Sequence, residues 1–109
     1  MDTPFKKEKI QEELAHLAAN YFQEESSKKS LITVTRSVMS DDLGRATIFF
    51  TVIPDKEEQE ALAFAKRREI DFKNYAKTKG RIGRVPYIIF AIDKGERNRE
   101  KIDAALKDS

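Results

Sequence analysis

Two segments rich in β-branched residues, separated by a short polar stretch, restrict the fold of this chain more than any other feature. Leu31–Met39 and Arg45–Ile53 both alternate their side chains with the two-residue period of a strand. Residues 40–44, with the sequence SDDLG, have the composition of a turn. So short a connection predicts an antiparallel hairpin. Pro54 is expected to end the second strand, because proline cannot donate a hydrogen bond to a neighbouring strand.

The alternation also assigns the side chains of this hairpin to two faces. In the first strand, Ile32, Val34 and Val38 are expected to share one face. The residues of the second strand that are expected to face the core are Ala46, Ile48, Phe50 and Val52. The opposite face of the hairpin is rich in threonine and includes Thr33, Thr35, Thr47 and Thr51.

Helical patterns lie on both sides of the hairpin. Thr3-Pro4 is typical of a helix start, with a hydroxyl N-cap followed by proline at the first helical position. One apolar stripe with helical spacing follows, formed by Ile10, Leu14, Leu17, Ala18, Tyr21 and Phe22. The polar residues 24–30 are expected to end this helix as a loop.

The helical region after the hairpin is long and interrupted. Asp55 and Glu58 have the spacing of a capping box, and the helical pattern continues to about Lys79. The expected inward-facing residues are Leu62, Ala65, Phe72 and Ala76. Residues 67–69 are charged where the apolar stripe of the helix would continue, which predicts either a kink or two helices. Gly80 is expected to end the region in the left-handed conformation.

A third strand completes the pattern. Val85–Asp93 is apolar on both faces, which predicts a central or well-covered position. A short terminal helix is expected from Asn98 to Leu106. The order α-β-β-α(kink)α-β indicates an α+β fold, with a mixed three-stranded sheet and helices on one face. We expect one domain over residues 1–109, with residues 1–4 and about 96–109 peripheral or partly flexible.

The positive charge of the chain is concentrated in one segment. Residues 66–84 contain eight basic and two acidic groups, whereas the remainder contains thirteen basic and seventeen acidic groups. Such a segment suits a polyanion such as RNA. The predicted RNA-binding residues are Lys66, Arg67, Arg68, Lys73, Lys77, Lys79, Arg81 and Arg84. The nearby Phe72 and Tyr75 either stack on bases or belong to the core.

The sequence offers no candidate for catalysis or metal binding. It has no cysteine, and its single histidine, His16, falls on the polar side of the first helix. Asp41 and Asp42, together with Asp55, suggest a magnesium site, but adjacent aspartates in a hairpin turn usually satisfy backbone N–H groups. We therefore expect no enzyme activity, no cofactor and no small-molecule substrate. The absence of an apolar leader or a long apolar run favours a cytoplasmic protein without a membrane segment.

The segment 80–83, with the sequence GRIG, matches the glycine-x-x-glycine pattern by which KH domains clamp nucleic acid. Such a clamp must lie between two helices. Only Arg84 separates Gly83 from the third strand, so we expect a helix end followed by a turn, and no clamp.

Two motifs give the chain a specific resemblance. Residues 31–46, LITVTRSVMSDDLGRA, resemble the first hairpin of the ribosome-binding factor A family, in which a threonine- and valine-rich strand leads into a serine, an aspartate-leucine pair and an alanine. Val85–Asp93 is similar to the proline, apolar, phenylalanine and aspartate strand of that family. The resemblance extends over roughly residues 5–95, and it implies a KH type II-like fold.

The resemblance also implies a function. Proteins of the family bind the small ribosomal subunit during late maturation of its RNA, matter most in cold-stressed bacteria and need no cofactor. The implied partners are the small ribosomal subunit and its rRNA, bound by a monomer. Residues 65–70 lack the glycine of the family's alanine-x-glycine kink. Two other hypotheses are a KH-like binder of other transcripts and a protein-interaction module that uses the exposed threonine face of the hairpin.

Overall fold

The computed structural model describes residues 4–25 and 29–95. Its helices are α1 (Pro4–Glu25), α2 (Glu58–Arg67) and α3 (Glu69–Lys79), and its strands are β1 (Leu31–Met39), β2 (Arg45–Ile53) and β3 (Tyr87–Ile92). This order confirms the predicted α-β-β-α(kink)α-β sequence. The predicted helix over 98–106 and the Thr3 cap lie outside the described residues. Of the helices in the described residues, α1, α2 and α3, none is long and apolar enough to cross a membrane.

The three strands form one mixed sheet in the order β1-β2-β3. β1 and β2 are antiparallel, as the short turn predicts, and β2 and β3 are parallel. Of the two predicted positions the central one was wrong, because within the described residues β3 pairs with β2 alone and lies at the edge of the sheet. The alternative of a well-covered strand holds for one face of β3, where Ile88 and Phe90 are buried. Its first residue, Tyr87, is 61% exposed.

The core lies between one face of the sheet and the helices. The buried α1 residues are those of the predicted stripe: Leu14, Leu17, Ala18, Tyr21 and Phe22. Ile10 is partly buried against them. All four predicted core residues of β2 are buried, together with Phe90 of β3, and the rings of Phe22, Phe50 and Phe90 contact one another with centroids 5.1 to 6.4 Å apart. Aromatic packing therefore joins α1 to the sheet.

A β-bulge changes the facing of β1. The pairing with β2 shifts between Val34 and Arg36, so Thr35 is an extra residue on β1. Beyond the bulge Ser37 and Met39 face the core, and Val38 is 43% exposed. The prediction that Val38 shares a face with Ile32 and Val34 was wrong for this reason.

Two further expectations were wrong. A 3₁₀ turn, Asp55–Glu57, precedes α2, and neither it nor α2 has a side-chain cap at its start. Asp55 is therefore not the N-cap of a capping box. Gly80 ends α3 in the extended conformation, with φ −91° and ψ 171°, not in the left-handed one. Glycine is needed there for space, because a Cβ at position 80 would lie 2.7 Å from Leu17 Cδ1.

Candidate nucleic-acid interface

The helical region that carries the predicted basic residues breaks at Arg68. This residue lies between the two helices, as the C-cap of α2 and the N-cap of α3, with φ −103° and ψ 5°. Its N–H donates to the carbonyl of Ala65 over 3.0 Å, and its carbonyl accepts from the N–H of Phe72 over 2.8 Å. Since φ is negative, the break does not need a glycine. The chain thus forms two helices without the alanine-x-glycine pair of the family that it resembles.

Glu69, directly after the break, ties α3 to the sheet. Its Oε2 accepts a hydrogen bond from the backbone N–H of Phe90 over 2.9 Å. The same carboxylate atom lies 3.3 Å from Lys66 Nζ. Lys66 is therefore engaged in an ion pair within its own helical region.

Arg68 and its neighbours tie the break to the end of α1. Arg68 Nη1 donates to Glu25 Oε1 over 2.9 Å, and its guanidinium lies 4.8 Å from the Phe64 ring centroid. The Tyr21 hydroxyl donates to Asp71 Oδ2 over 2.5 Å. Burial, together with this hydrogen bond, raises the pKa of Tyr21 to about 12. These contacts fix the orientation of α3 relative to α1.

Six of the eight predicted RNA-binding side chains have no ion-pair partner within residues 4–25 and 29–95. Lys66 and Arg68 are the two that are paired. The six are Arg67, Lys73, Lys77, Lys79, Arg81 and Arg84, and each is exposed or half-buried. Cations that have no carboxylate partner of their own remain available to phosphate groups.

The structure distributes these cations over different surfaces. Arg67 lines a cleft of about 410 Å³ with Lys29 and Phe64. Lys79 lines a groove between α1 and α3 that also contains Glu24 and Glu25. Lys77 and Arg81 are exposed and line none of the three described clefts.

Among the three described clefts, one is lined by two of the predicted residues, Lys73 and Arg84, and it has a volume of about 570 Å³. Lys6 of α1 and the exposed Tyr87 of β3 line it too. Sequence reasoning missed both residues, because Lys6 is far from the basic segment in the sequence and Tyr87, three residues after Arg84, carries no charge.

The two aromatic residues considered for base stacking have different environments. Phe72 is fully buried and packs against Tyr21 and Phe90, so it belongs to the core. Tyr75 is half-buried, with its ring centroid 5.2 Å from that of Tyr21. Burial raises the pKa of Tyr75.

The remaining sequence signals have structural explanations. Residues 80–83 form a loop between α3 and β3, so the expectation of a helix end followed by a turn is confirmed. Asp42 Oδ1 accepts hydrogen bonds from Ser40 Oγ (2.6 Å) and the Gly44 N–H (2.9 Å), which lower the pKa of Asp42. Asp41 pairs with Lys7 over 3.0 Å. His16 is exposed on α1, and no group of three acidic or histidine residues in the described part could hold a metal.

An α-β-β-α-α-β order, a sheet with one parallel pair and a pair of helices joined at a tight break define a KH type II-like α+β protein. The family model of ribosome-binding factor A matches residues 6–106. Ribosome-binding factor A of Natranaerobius thermophilus is 30% identical over 105 residues, covering 94% of this chain and 80% of the relative. The Flavobacterium johnsoniae protein of the same name is 27% identical over 99 residues, covering 89% and 76%. The chain belongs to the ribosome-binding factor A family.

Solved structures show the same fold. The crystal structure of ribosome-binding factor A from Thermus thermophilus superposes with a TM-score of 0.72 at 21% identity, covering 83% of this chain and 98% of that one. The solution structure of a Thermotoga maritima protein described as a ribosome binding factor A gives a TM-score of 0.69 at 22% identity, covering 87% and 93%. The predicted fold class is thereby confirmed.

Proposed function

We propose that this protein binds the ribosome, and specifically the ribosomal RNA of the immature small subunit, and that it assists late maturation of that subunit. It acts in the cytoplasm as a monomeric, non-catalytic factor. Membership of a family named for ribosome binding supports the choice of partner. The observation that carries the RNA part is the set of six basic side chains between residues 66 and 84 that have no ion-pair partner in the described residues.

The physical basis of the proposed activity is phosphate binding. Each lysine or arginine that meets a phosphate releases counterions from the RNA, so affinity falls as salt rises. A factor that binds one RNA conformer more tightly than another shifts the population toward the first. Selective binding alone is therefore enough to assist maturation, without any chemical step.

A pair of charge-matched double variants tests this proposal. Arg67→Glu/Lys77→Glu reverses two exposed, unpaired cations of the basic segment. Lys9→Glu/Lys56→Glu reverses two exposed cations elsewhere that also have no ion-pair partner in the described part, and it changes the net charge equally. Both are compared with the unaltered chain by sedimentation with purified small subunits at low and moderate salt.

We expect the Arg67/Lys77 variant to lose most of its co-sedimentation. Its salt dependence should also be weaker, with the log–log slope reduced by about one unit for each phosphate that the variant no longer neutralises. The Lys9/Lys56 variant should sediment with small subunits like the unaltered chain. Equal losses in the two variants would show that only net charge matters and would contradict the proposed interface.

The same fractionation distinguishes the two alternative functions. A KH-like binder of other transcripts would migrate with messenger RNA and not with free small subunits. A protein-interaction module on the hairpin would bind its partner independently of salt. The threonine face is partly used within the chain itself, since the Thr35 hydroxyl donates to Asp93 Oδ2 over 2.5 Å.

A loss of growth at low temperature when the protein is removed would connect it to cold adaptation.

A further inference from the structure

A cleft separate from the helix break collects cationic side chains from three segments of the chain. It lies where β1 ends and where β2 and β3 begin, and it has a volume of about 570 Å³, within the range of small-molecule sites. Its cationic side chains are Lys6 of α1, Lys73 of α3 and Arg84 of the loop before β3. No two of these residues belong to the same helix, strand or loop.

The charge of the cleft favours an anion. Lys73 and Arg84 have no ion-pair partner among the described residues. The carboxylate that lines the cleft is Asp42, which already accepts hydrogen bonds from Ser40 and from the Gly44 N–H. Asp42 is therefore held by the turn, and two cations remain to attract a negatively charged group.

The cleft combines this charge with apolar surface. Ile10, Leu43 and Ile82 line it and are packed against the core, so they form a firm apolar wall. Tyr87 stands at its edge with 61% of its surface exposed, and its backbone N–H is fixed by the carbonyl of Gly44 over 2.9 Å. An aromatic ring on a fixed backbone beside two cations suits a ligand that has both a flat apolar face and a phosphate.

We propose that this cleft holds one unpaired nucleotide of a single-stranded RNA segment. Lys73 and Arg84 bind its phosphate, with Lys6 adding to the positive potential, and the base lies against Tyr87. The inference rests on the proposed RNA-binding function and makes it more specific. It locates a base contact at the end of the sheet, away from the helix break, and it assigns two residues, Lys6 and Tyr87, to RNA contact.

The surroundings of the cleft favour RNA over a single bound anion. Lys77 follows Lys73 by one helical turn on the same side of α3, and Arg81 lies in the loop that leads to Arg84. Both are exposed and unpaired in the described residues, so cations continue beyond the cleft. A polyanion with a charge on every nucleotide can use such a series, whereas a single bound anion cannot.

A single tryptophan introduced at the cleft tests the proposal directly. The chain contains no tryptophan, so Tyr87→Trp provides a unique fluorophore at the proposed base contact. The matched control is Leu31→Trp, which places the fluorophore at a position that is also exposed, at 60%, on the opposite end of the same sheet. The probes are an oligouridine of about ten nucleotides, the same strand paired with oligoadenosine, and polyglutamate.

We expect saturable quenching of Tyr87→Trp by the single strand, little by the duplex and none by polyglutamate. Adding Arg84→Glu or Lys73→Glu should weaken that binding by about tenfold or more, while adding Lys9→Glu should leave it within about twofold. Quenching of Leu31→Trp to the same extent, quenching by polyglutamate, or insensitivity to Lys73→Glu and Arg84→Glu would each overturn the proposal.

The fluorescence test of the cleft and the sedimentation test of the proposed function can fail independently of each other. If the unaltered chain and its Arg84→Glu variant bind small subunits equally while the quenching is absent, the cleft assignment is wrong and the ribosomal function stands. If the quenching occurs as expected but the chain does not sediment with small subunits, the cleft assignment stands and the ribosomal function is wrong.

Discussion

Glu69 Oε2 accepts a hydrogen bond from the backbone N–H of Phe90 across 2.9 Å, joining the first residue of α3 to the middle of β3. The N–H groups of Tyr87 and Asp93 donate to carbonyls of the β2 side, at Gly44 and Phe50. The N–H of Phe90 therefore points away from β2, toward the free edge of the sheet. One carboxylate thus satisfies an edge-strand donor and also fixes where the second helix begins.

Removing this carboxylate should destabilise the fold. Glu69→Ala leaves the Phe90 N–H without its partner, and we expect a loss of about 1 to 3 kcal/mol in the free energy of unfolding, measured by urea denaturation. Glu69→Gln keeps a side-chain oxygen that can accept the bond, so it should lose less. Amide hydrogen exchange at Phe90 should accelerate in the alanine variant only. Equal exchange rates in the two variants would contradict this role.

The Tyr21 hydroxyl makes the free energy of unfolding depend on pH in the alkaline range. The pKa of Tyr21 is raised from its ordinary value of 10.0 to about 12, so between these values the unfolded chain has lost the proton that the folded chain keeps. Stability from this group is therefore complete below about pH 10 and is lost as pH rises toward 12. Tyr21→Phe should cost about 1 kcal/mol at neutral pH, because the variant cannot form the hydrogen bond to Asp71.

The measurement is the difference in unfolding free energy between the unaltered chain and Tyr21→Phe across that pH range. We expect this difference to shrink as pH rises from about 10 to 12. Val38→Ala, which removes no titratable group, is the control and should show no such trend. A difference that stays constant with pH would contradict a raised pKa of Tyr21 in the folded chain.

The bulge at Thr35 predicts which of two adjacent residues contributes to the core. Met39 is 3% exposed and Val38 is 43% exposed. Met39→Ala should therefore cost about 2 to 5 kcal/mol, and Val38→Ala less than about 1 kcal/mol. Thermal and urea unfolding of the two variants measures this directly. A regular strand without the bulge would reverse the order.

Two glycines of the loop after α3 should respond differently to asparagine. At Gly80 a Cβ would lie 2.8 Å from the carbonyl oxygen of Ala76, so alanine and asparagine should both cost about 1 to 3 kcal/mol. At Gly83, φ is +84° and nothing lies within 4 Å. Asparagine, which tolerates the left-handed region, should be better accepted there than alanine. Better acceptance of asparagine than of alanine at position 80 would contradict the spatial explanation.

Local patterns were sufficient for most of the fold. The apolar stripe of α1 and the alternation of β2 each depend on one period that continues without interruption, and their buried residues were predicted correctly. The charged interruption at residues 67–69 also marked the helix break correctly. The facing of β1 could not be predicted, because one extra residue shifts the alternation and Thr35 is an ordinary strand residue in the sequence. The edge position of β3 depends on the order of the strands in the sheet, and that order cannot be predicted from the residues of β3 alone.

The candidate interface was less accessible to sequence reasoning. A charge count identifies a basic segment but does not show which of its cations are already paired, and Lys66 and Arg68 pair with Glu69 and Glu25. Nor does it show which cations share a surface. Lys73 and Arg84 line one cleft because the loop after α3 returns to the start of the sheet, and Lys6 lines it from a distant part of the sequence.

The negative φ of Arg68 at the break has a consequence for the unfolded chain. A glycine at such a joint would give the denatured ensemble more conformational freedom, all of which folding must remove. An arginine with negative φ restricts that ensemble and, in the folded state, supplies a side chain that reaches α1. Compared with glycine at position 68, arginine lowers the entropic contribution that opposes folding by roughly 0.5 to 1 kcal/mol. Arginine at position 68 therefore restricts the backbone of the unfolded chain. Because φ is negative there, many other residues could replace arginine with little change in the backbone.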